Sequence, residues 1–233
     1  MLKEIQNIEP FNDVYYKNCF YNPFFTAVQH FNKKGILPFL ANDIFVYDFD
    51  NRFKGINLYV KCINEVPEAS ILNNMGICMK TRNSEDLTTD LINSISGNKI
   101  VLLLVDHFYF PLSVGTYQRG HAGHFILIYG YDMLKQIYKI VDIQTTSECY
   151  KAEVSFNDIM NSYNGYVNNL QKSKKPTYYE LFLKKENTFC NSAFACNYSD
   201  IFINNMLKNK DLILDGLNKF NNYINEYKNC LSS

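Results

Sequence analysis

The sequence has no tryptophan, no excess of either charge and no long apolar run. Its 233 residues include 23 basic and 23 acidic side chains, so the formal net charge is zero. This balance gives no electrostatic reason to expect nucleic acid or a membrane as a partner. No apolar run approaches the roughly 20 residues of a membrane-spanning helix. The N-terminus has no apolar signal core, so we expect a cytoplasmic protein.

The seven cysteines lack the spacing of a structural zinc site, since none forms a CxxC pair. Free thiols without an export signal fit a reducing compartment. His107, His121 and Asp106 lie close in sequence but lack the helical spacing of a metal motif, so we predict neither a metal nor a cofactor. Most of the cysteines are expected to be inert packing residues. A catalytic cysteine would differ from them in having surroundings that activate its thiol.

Apolar patterns predict an α+β protein with an N-terminal helix on a central antiparallel sheet. Helical spacing covers residues 20–34, where Pro23 fits a first turn. The predicted strands and further helical segments follow along the chain: strands at 44–47, 56–62, 99–110, 124–132, 138–144 and 177–185, and helical segments at 84–96, 154–163 and 199–230.

The C-terminal segment carries an apolar stripe at helical spacing, formed by Ile213, Leu217, Phe220, Ile224 and Tyr227. We therefore predict two regions, a catalytic domain over residues 1–188 and a helical segment over residues 189–233 packed on it. The alternative is that the stripe forms a homodimer or carrier-protein contact.

Cys19 is the cysteine that precedes a convincing helix. A catalytic cysteine acts as its thiolate, and a helix N-terminus favours negative charge through its unpaired N–H groups and dipole. A nearby imidazole can complete the activation and carry the proton. Taken alone, a cysteine at a helix start is more often structural than catalytic. A catalytic assignment therefore depends on a histidine that can lie beside Cys19.

His124 opens one strand of the predicted hairpin, and Asp142 is the only acid in the other. A turn around residues 133–135 places His124 opposite Asp142 or within two residues of it. A carboxylate there would orient the imidazole and stabilise its charged form. The competing interpretation is a surface ion pair, which the apolar character of both strands disfavours.

The stretch GHFILIYGYD followed by YKIVDIQ resembles papain-superfamily cysteine enzymes of the bacteriocin-processing type. It is more similar to the N-terminal domain of the butirosin-biosynthesis acyltransferase family, over roughly residues 12–185. The residues that carry the likeness are Cys19, Asp106, Tyr109, Pro111, His121, His124, Gly130, Tyr131, Asp132 and Asp142. The resemblance implies a papain-like fold in which Cys19, His124 and Asp142 are catalytic.

The segment before Cys19 departs from papain-like enzymes because it has no glutamine to stabilise an oxyanion. Asn18, Asn12 or backbone N–H groups are the candidate donors. Asp106, Tyr109, His121 and Tyr131 are predicted to bind substrate, Asp106 by holding a cationic amine.

Cys-His-Asp chemistry proceeds through an acyl-thioester. We expect a donor chain on the phosphopantetheine arm of an acyl or peptidyl carrier protein, and a small amine as acceptor. In its size, its bias toward Asn, Lys, Ile and Tyr and its short C-terminal region, the chain resembles the stand-alone condensation enzyme of closthioamide-type polythioamide biosynthesis, and this resemblance implies a diamine acceptor. The alternatives are a cysteine peptidase or thioesterase, and a non-catalytic binding module.

Overall fold

A computed structural model of the chain describes residues 1–12, 17–32, 35–49, 57–143, 148–171, 177–184 and 198–232. The strands of this described part are β1 (Leu2–Glu4), β2 (Asp43–Phe49), β3 (Leu58–Asn64), β4 (Ile77–Asn83), β5 (Ile100–Asp106), β6 (Gly123–Asp132), β7 (Ile137–Ile143), β8 (Cys149–Ser155) and β9 (Thr177–Leu183). Its helices are α1 (Tyr21–Phe31), α2 (Leu37–Asn42), α3 (Glu68–Asn74), α4 (Leu87–Ser96), α5 (Phe156–Asn169), α6 (Tyr198–Lys208) and α7 (Lys210–Ser232). None of these helices is long and apolar enough to cross a bilayer.

The chain divides into two compact units. The first contains residues Met1–Gly35 and Met75–Phe189, and the second contains Ile36–Asn74 and Cys190–Ser233. The C-terminal helices therefore share a unit with residues 36–74, a grouping that local periodicity did not reveal. The predicted division into residues 1–188 and 189–233 remains a prediction.

A seven-stranded sheet organises the first unit, with strand order β4-β9-β5-β6-β7-β8 and β1 paired to β6. Every pairing in it is antiparallel. The expected α+β class with a central antiparallel sheet is thus confirmed, while the papain-like assignment remains a prediction. Strand β5 lies at the centre, and its run IVLLLVD is buried on both faces, as a central strand requires.

Helices cover both faces of this sheet. On one face, α4 and α5 pack against a core that includes Val101, Leu103, Ile126 and Ile128. The side chain of Asp86 caps α4 by accepting from the Thr89 N–H, and Ser155 caps α5 in the same way. On the other face lies α1, whose Phe24, Phe25, Ala27 and Val28 are fully buried.

A β-bulge between Ile128 and Gly130 sets the register of the β6–β7 hairpin. On the turn side of the bulge Asp132 pairs with Ile137, and on the other side Leu127 pairs with Val141. If this second register continues by one residue, Asp142 lies across from residue 126 and diagonal to His124. Without the one-residue shift, Asp142 would lie across from Leu127 and its side chain would point away from the His124 face. The bulge therefore places both side chains on one face of the sheet.

In the second unit, β2 and β3 form an antiparallel pair against which α7 packs. Gly216 permits the close approach, because a Cβ atom there would lie 2.9 Å from the Tyr47 backbone nitrogen. Phe220 stacks on Tyr47 at 4.5 Å between ring centroids. Two members of the predicted stripe, Leu217 and Tyr227, are instead exposed. The packed face of α7 thus includes Ile213, Phe220 and Ile224 of the predicted stripe, and it also contains Gly216, which carries no apolar side chain to signal it.

The predicted elements recur with shifted ends, and several short ones were missed. The helix predicted over residues 20–34 ends at Phe31, and residues 33–34 lie outside the described part of the chain, as does residue 56 of the predicted second strand. The missed elements are β1, α2, α3, β4 and β8. All five are only three to seven residues long, too short for a periodic pattern to stand out.

Candidate active site

Cys19 lies in a turn just ahead of α1, two residues before the first helical residue, Tyr21. The Asn18 carbonyl accepts from the Tyr21 N–H at 3.1 Å, and Asn18 Oδ1 accepts from the Phe20 N–H at 2.9 Å. These two hydrogen bonds hold the turn, so the thiol is placed at the N-terminal end of the helix. Cys19 thus lies just before a helix start, as the sequence predicts.

His124 and Asp142 form a buried pair at the edge of β6 and β7. His124 Nε2 lies 2.6 Å from Asp142 Oδ1, and the two side chains are 6% and 3% exposed. Asp142 also accepts from the Ile143 N–H at 2.8 Å and from the Tyr150 hydroxyl at 3.0 Å. A buried carboxylate that accepts three hydrogen bonds is held in a fixed position, so it can orient the imidazole and stabilise its charge.

The Cys19 thiol and the His124 imidazole also interact, since each shifts the pKa of the other. Because Asp142 takes Nε2, Nδ1 is the nitrogen left to face the thiol. Burial alone would raise the pKa of Cys19, but the hydrogen bonds from His124 and the Phe125 N–H outweigh burial and lower it. Burial likewise opposes charging of His124, yet Asp142 and Cys19 raise its pKa to about 9. Both pKa shifts favour the charged pair, a thiolate beside an imidazolium, over the neutral thiol and imidazole.

His107 packs edge-on against His124, with 4.4 Å between ring centroids. Its Nδ1 lies 2.9 Å from the Thr116 hydroxyl oxygen. Burial, reinforced by the charge on His124, lowers the pKa of His107 to about 4. His107 is therefore neutral at physiological pH, and it supports the His124 ring without competing for its proton.

Asp106 and His121 form a second pair, with 2.7 Å between Asp106 Oδ2 and His121 Nδ1. The carboxylate is fully buried, and its other oxygen accepts from the N–H groups of Phe108 and Ala122. These bonds brace the loop between β5 and β6. The structure thus occupies Asp106 with its own loop, and the predicted contact with an acceptor amine remains a prediction. Among the described residues, no cluster of His, Cys, Asp and Glu forms a candidate metal site.

Tyr109 lies in the same loop and is partly exposed. Its ring packs so closely on Gly165 of α5 that any added Cβ atom there would overlap it. The structure thus brings Tyr109 together with Asp106 and His121. It does not bring Tyr131 there, because that side chain is fully buried in the core and its hydroxyl lies 2.9 Å from Ser96 Oγ. The bulge turns Tyr131 inward, since it reverses the alternation of side chains along β6.

The two asparagines proposed as oxyanion donors have different surroundings. Asn12 Nδ2 donates to the Cys149 carbonyl at 2.9 Å, and its Oδ1 accepts from the Cys149 N–H. This amide therefore braces the start of β8. Asn18 is exposed beside Cys19, and its Nδ2 donates no hydrogen bond within the described part of the chain. Of the two, Asn18 is the one with a donor to offer.

Cys149 shows what an ordinary buried cysteine looks like in this protein. It is 4% exposed, and burial raises the pKa of its thiol to about 11. Cys62 and Cys78 are half-buried, and Cys230 is exposed. Cys190 and Cys196 lie outside the described residues. The pKa of Cys19 is moved in the opposite direction to that of Cys149, because Cys19 has an imidazole beside it.

Sequence reasoning missed Tyr150 and the supporting role of His107. Tyr150 lies directly across from Asp142 in the β7–β8 register, so prediction of β8 would have found it. His107 was considered only as a metal ligand. Its contact with His124 follows from the return of the loop, where the His107 N–H donates to the Ala122 carbonyl at 2.9 Å, and no local sequence signal announces this return.

Comparison with known proteins supports the family resemblance. The family model "Butirosin biosynthesis protein H, N-terminal" matches residues 39–143. The matched range contains His124 and Asp142, and the loop with Asp106 and His121, but it begins after Cys19. No curated protein gives a significant match to the chain.

Proposed function

We propose that this chain is a cysteine-dependent acyltransferase that forms an amide bond. Cys19 would accept an acyl or peptidyl chain from a carrier-protein thioester and pass it to a small amine. The single observation that carries the proposal is the connected set Cys19–His124–Asp142, in which a thiol with a lowered pKa meets an imidazole with a raised one. The match to a family named for antibiotic biosynthesis supports transfer in a biosynthetic setting.

The first step would move the acyl group onto the enzyme. The Cys19 thiolate attacks the carbonyl carbon of the donor thioester, and a new carbon–sulfur bond forms. The bond to the pantetheine sulfur then breaks, and the His124 imidazolium gives its Nδ1 proton to the departing thiolate. Because one thioester replaces another, this exchange needs no ATP.

The second step would discharge the acyl group. A neutral amine attacks the acyl-Cys19 carbonyl, and His124, now neutral, accepts the proton that the amine nitrogen loses. The bond to Cys19 breaks, which restores the thiolate and the imidazolium. Asp142 keeps its hydrogen bond to Nε2 throughout, so it stabilises His124 each time that the ring is charged.

Each tetrahedral intermediate carries a negative oxygen that needs donors. We assign the oxyanion to the Cys19 backbone N–H and to the Nδ2 group of Asn18, the residue that precedes Cys19 in the chain. Asn18→Ala should then slow turnover by a larger factor than it slows iodoacetamide alkylation of the Cys19 thiol, because alkylation passes through no oxyanion and is affected only by the lost bond to the Phe20 N–H.

The proposal is tested by intact-protein mass spectrometry after incubation with an acyl-pantetheine thioester. The expected result is a single acyl adduct that maps to Cys19 and is absent from Cys19→Ala. The matched control is Cys230→Ala, which removes an exposed thiol and should leave the adduct unchanged. Addition of 1,3-diaminopropane, the kind of acceptor expected from the closthioamide-type resemblance, should release an amide.

The products separate transfer from hydrolysis. Release of free acid alone, at a rate that the amine does not change, would contradict the transferase and favour a thioesterase. Cleavage of peptides without acylation by thioesters would favour a peptidase. An unreactive Cys19 would leave only a binding module.

A further inference from the structure

A cleft of about 480 Å³ opens at Cys19 and is lined by side chains from several strands of the first unit. Most of the lining residues are large and apolar or aromatic. They are Phe20, Tyr21, Met79, Leu104, Phe125, Tyr166 and Tyr179, and Asn18, Cys19 and Gly123 complete the lining. Because Cys19 lines the cleft, an acyl group attached to its thiol would lie in or next to it.

One wall of the cleft is a group of three rings. Phe20 and Phe125 meet edge to face with 4.9 Å between centroids. Tyr179 lies 6.2 Å from Phe125 and 6.3 Å from Phe20. These rings come from the α1 turn, β6 and β9, so the sheet itself holds the wall in place. Such a surface binds apolar groups through burial and contacts with the ring faces.

Tyr166 of α5 closes the side nearest to His124. A Cβ atom added at Gly123 would lie 3.1 Å from the Tyr166 ring, so the ring rests almost directly on the backbone before His124. Burial, followed by the proximity of Tyr179, raises the pKa of Tyr166 and keeps its hydroxyl neutral. The cleft is thus bounded by uncharged groups up to the catalytic histidine.

Within the described part of the chain, no Asp, Glu, Lys or Arg side chain lines the cleft. Lys17 lies outside the lining and over the Tyr21 ring, with its Nζ 4.5 Å from the ring centroid. A carboxylate in the cleft would lose water without gaining a cationic partner there, and it would also face the Cys19 thiolate.

We propose that the cleft selects an uncharged, apolar acyl group next to the thioester carbonyl, and that Met79, Phe125, Tyr166 and Tyr179 determine this preference. The inference rests on the proposed function, since it assigns the cleft to the acyl chain that Cys19 receives. It goes further by naming the chemical class of that chain.

The test compares two pantetheine thioesters of equal chain length, hexanoyl and adipoyl, which differ by one terminal carboxylate. The initial rate of Cys19 acylation is followed by intact-protein mass spectrometry. We expect hexanoyl to react at least roughly 30-fold faster, because an unpaired charge is costly to bury. Equal rates, or a faster reaction with adipoyl, would overturn the inference while the proposed function stood.

A charge placed in the cleft gives a second test. Met79 is partly buried on β4 and lines the cleft. Met79→Lys should supply the missing cation and reduce the hexanoyl preference to below roughly threefold by speeding adipoyl, since a paired carboxylate is less costly to bury. Met79→Leu is the matched control and should retain the wild-type ratio. A ratio unchanged in Met79→Lys would show that the acyl chain lies elsewhere.

Protection of the thiol separates the two proposals. Hexanamide should slow iodoacetamide alkylation of Cys19 at concentrations at which adipamic acid does not. If neither thioester acylates Cys19 but hexanamide still protects it, the transferase proposal fails and the apolar cleft stands. If both amides protect equally, the cleft has no preference of this kind.

Discussion

The two His–Asp pairs of the first unit are nearly the same in geometry and differ in their surroundings. Nitrogen and oxygen lie 2.6 Å apart in the pair His124–Asp142 and 2.7 Å apart in His121–Asp106. Both carboxylates are buried. The histidines differ, since the side chain of His124 is 6% exposed and that of His121 is 40% exposed. Only His124 has a thiol as its second neighbour.

A short hydrogen bond between His and Asp therefore does not define a catalytic pair. Asp106 uses its remaining acceptor capacity on the loop backbone, so its pair serves to hold the loop. Asp142 receives further donors and holds an imidazole whose other nitrogen meets Cys19. Matched substitutions in the two pairs should therefore change different properties of the protein.

The largest difference should appear when each histidine is replaced. His124→Gln removes the partner of the Cys19 thiolate, so the rate of Cys19 alkylation by iodoacetamide at pH 7 should fall at least roughly 30-fold, toward that of an ordinary thiol. His121→Gln should change it by less than about twofold. Equal losses in both variants would mean that the loop pair also controls the thiol.

The rate of acyl transfer should have an acidic limit set by Cys19 and an alkaline limit set by His124. The lowered pKa of Cys19 means that its thiolate exists above that pKa and is lost as pH falls through it. The raised pKa of His124 means that the imidazolium persists up to about pH 9 and is lost above it. Acyl transfer, which needs the imidazolium proton, should fall about tenfold per pH unit above 9. Alkylation should not fall there, and a parallel fall in both rates would contradict this assignment.

Replacing Asp142 should change the pH dependence of acyl transfer, whereas replacing Asp106 should change the stability of the fold. Asp142→Asn removes a charged acceptor worth about 1.5–3 kcal/mol to the imidazolium, which lowers the pKa of His124 by roughly 1–2 units. The alkaline limit of acyl transfer should shift downward by that amount, so the loss should be roughly 5- to 50-fold at pH 9 and about twofold or less at pH 7. Asp106→Asn should lower the free energy of unfolding by about 1–3 kcal/mol, measured by urea denaturation, and leave the alkaline limit in place.

The smallest effect is expected at Tyr150. Tyr150→Phe removes one of the donors to Asp142, so acyl transfer should fall by about two- to threefold, consistent with one neutral hydrogen bond. Tyr163→Phe is the matched control, because the Tyr163 hydroxyl has no hydrogen-bond partner within the described residues. It should leave the transfer rate unchanged, and a loss equal to that of Tyr150→Phe would point to general destabilisation.

Several parts of this site could be predicted from sequence because they depend on local pattern. The apolar strands that contain His124 and Asp142 are long, and the turn between them is short, so their pairing follows from the chain itself. The prediction that Asp142 lies within two residues of His124 agrees with the register above the bulge. Tyr131 was placed near substrate because nothing in the pattern HFILIYGYD reveals a bulge. Asn12 was placed near the thiol by proximity in sequence, yet its amide binds the backbone of Cys149, 137 residues away.

By itself the sequence determined the antiparallel hairpin, the helix behind Cys19 and the order of thiol, imidazole and carboxylate, because each depends on side-chain periodicity over neighbouring residues. Only the tertiary structure decided which His–Asp pair meets the thiol, which face of β6 carries His124, and which rings line the cleft beside Cys19. Those features depend on a one-residue register shift and on contacts between distant strands. Such contacts are set by packing of the whole sheet, which no local pattern records.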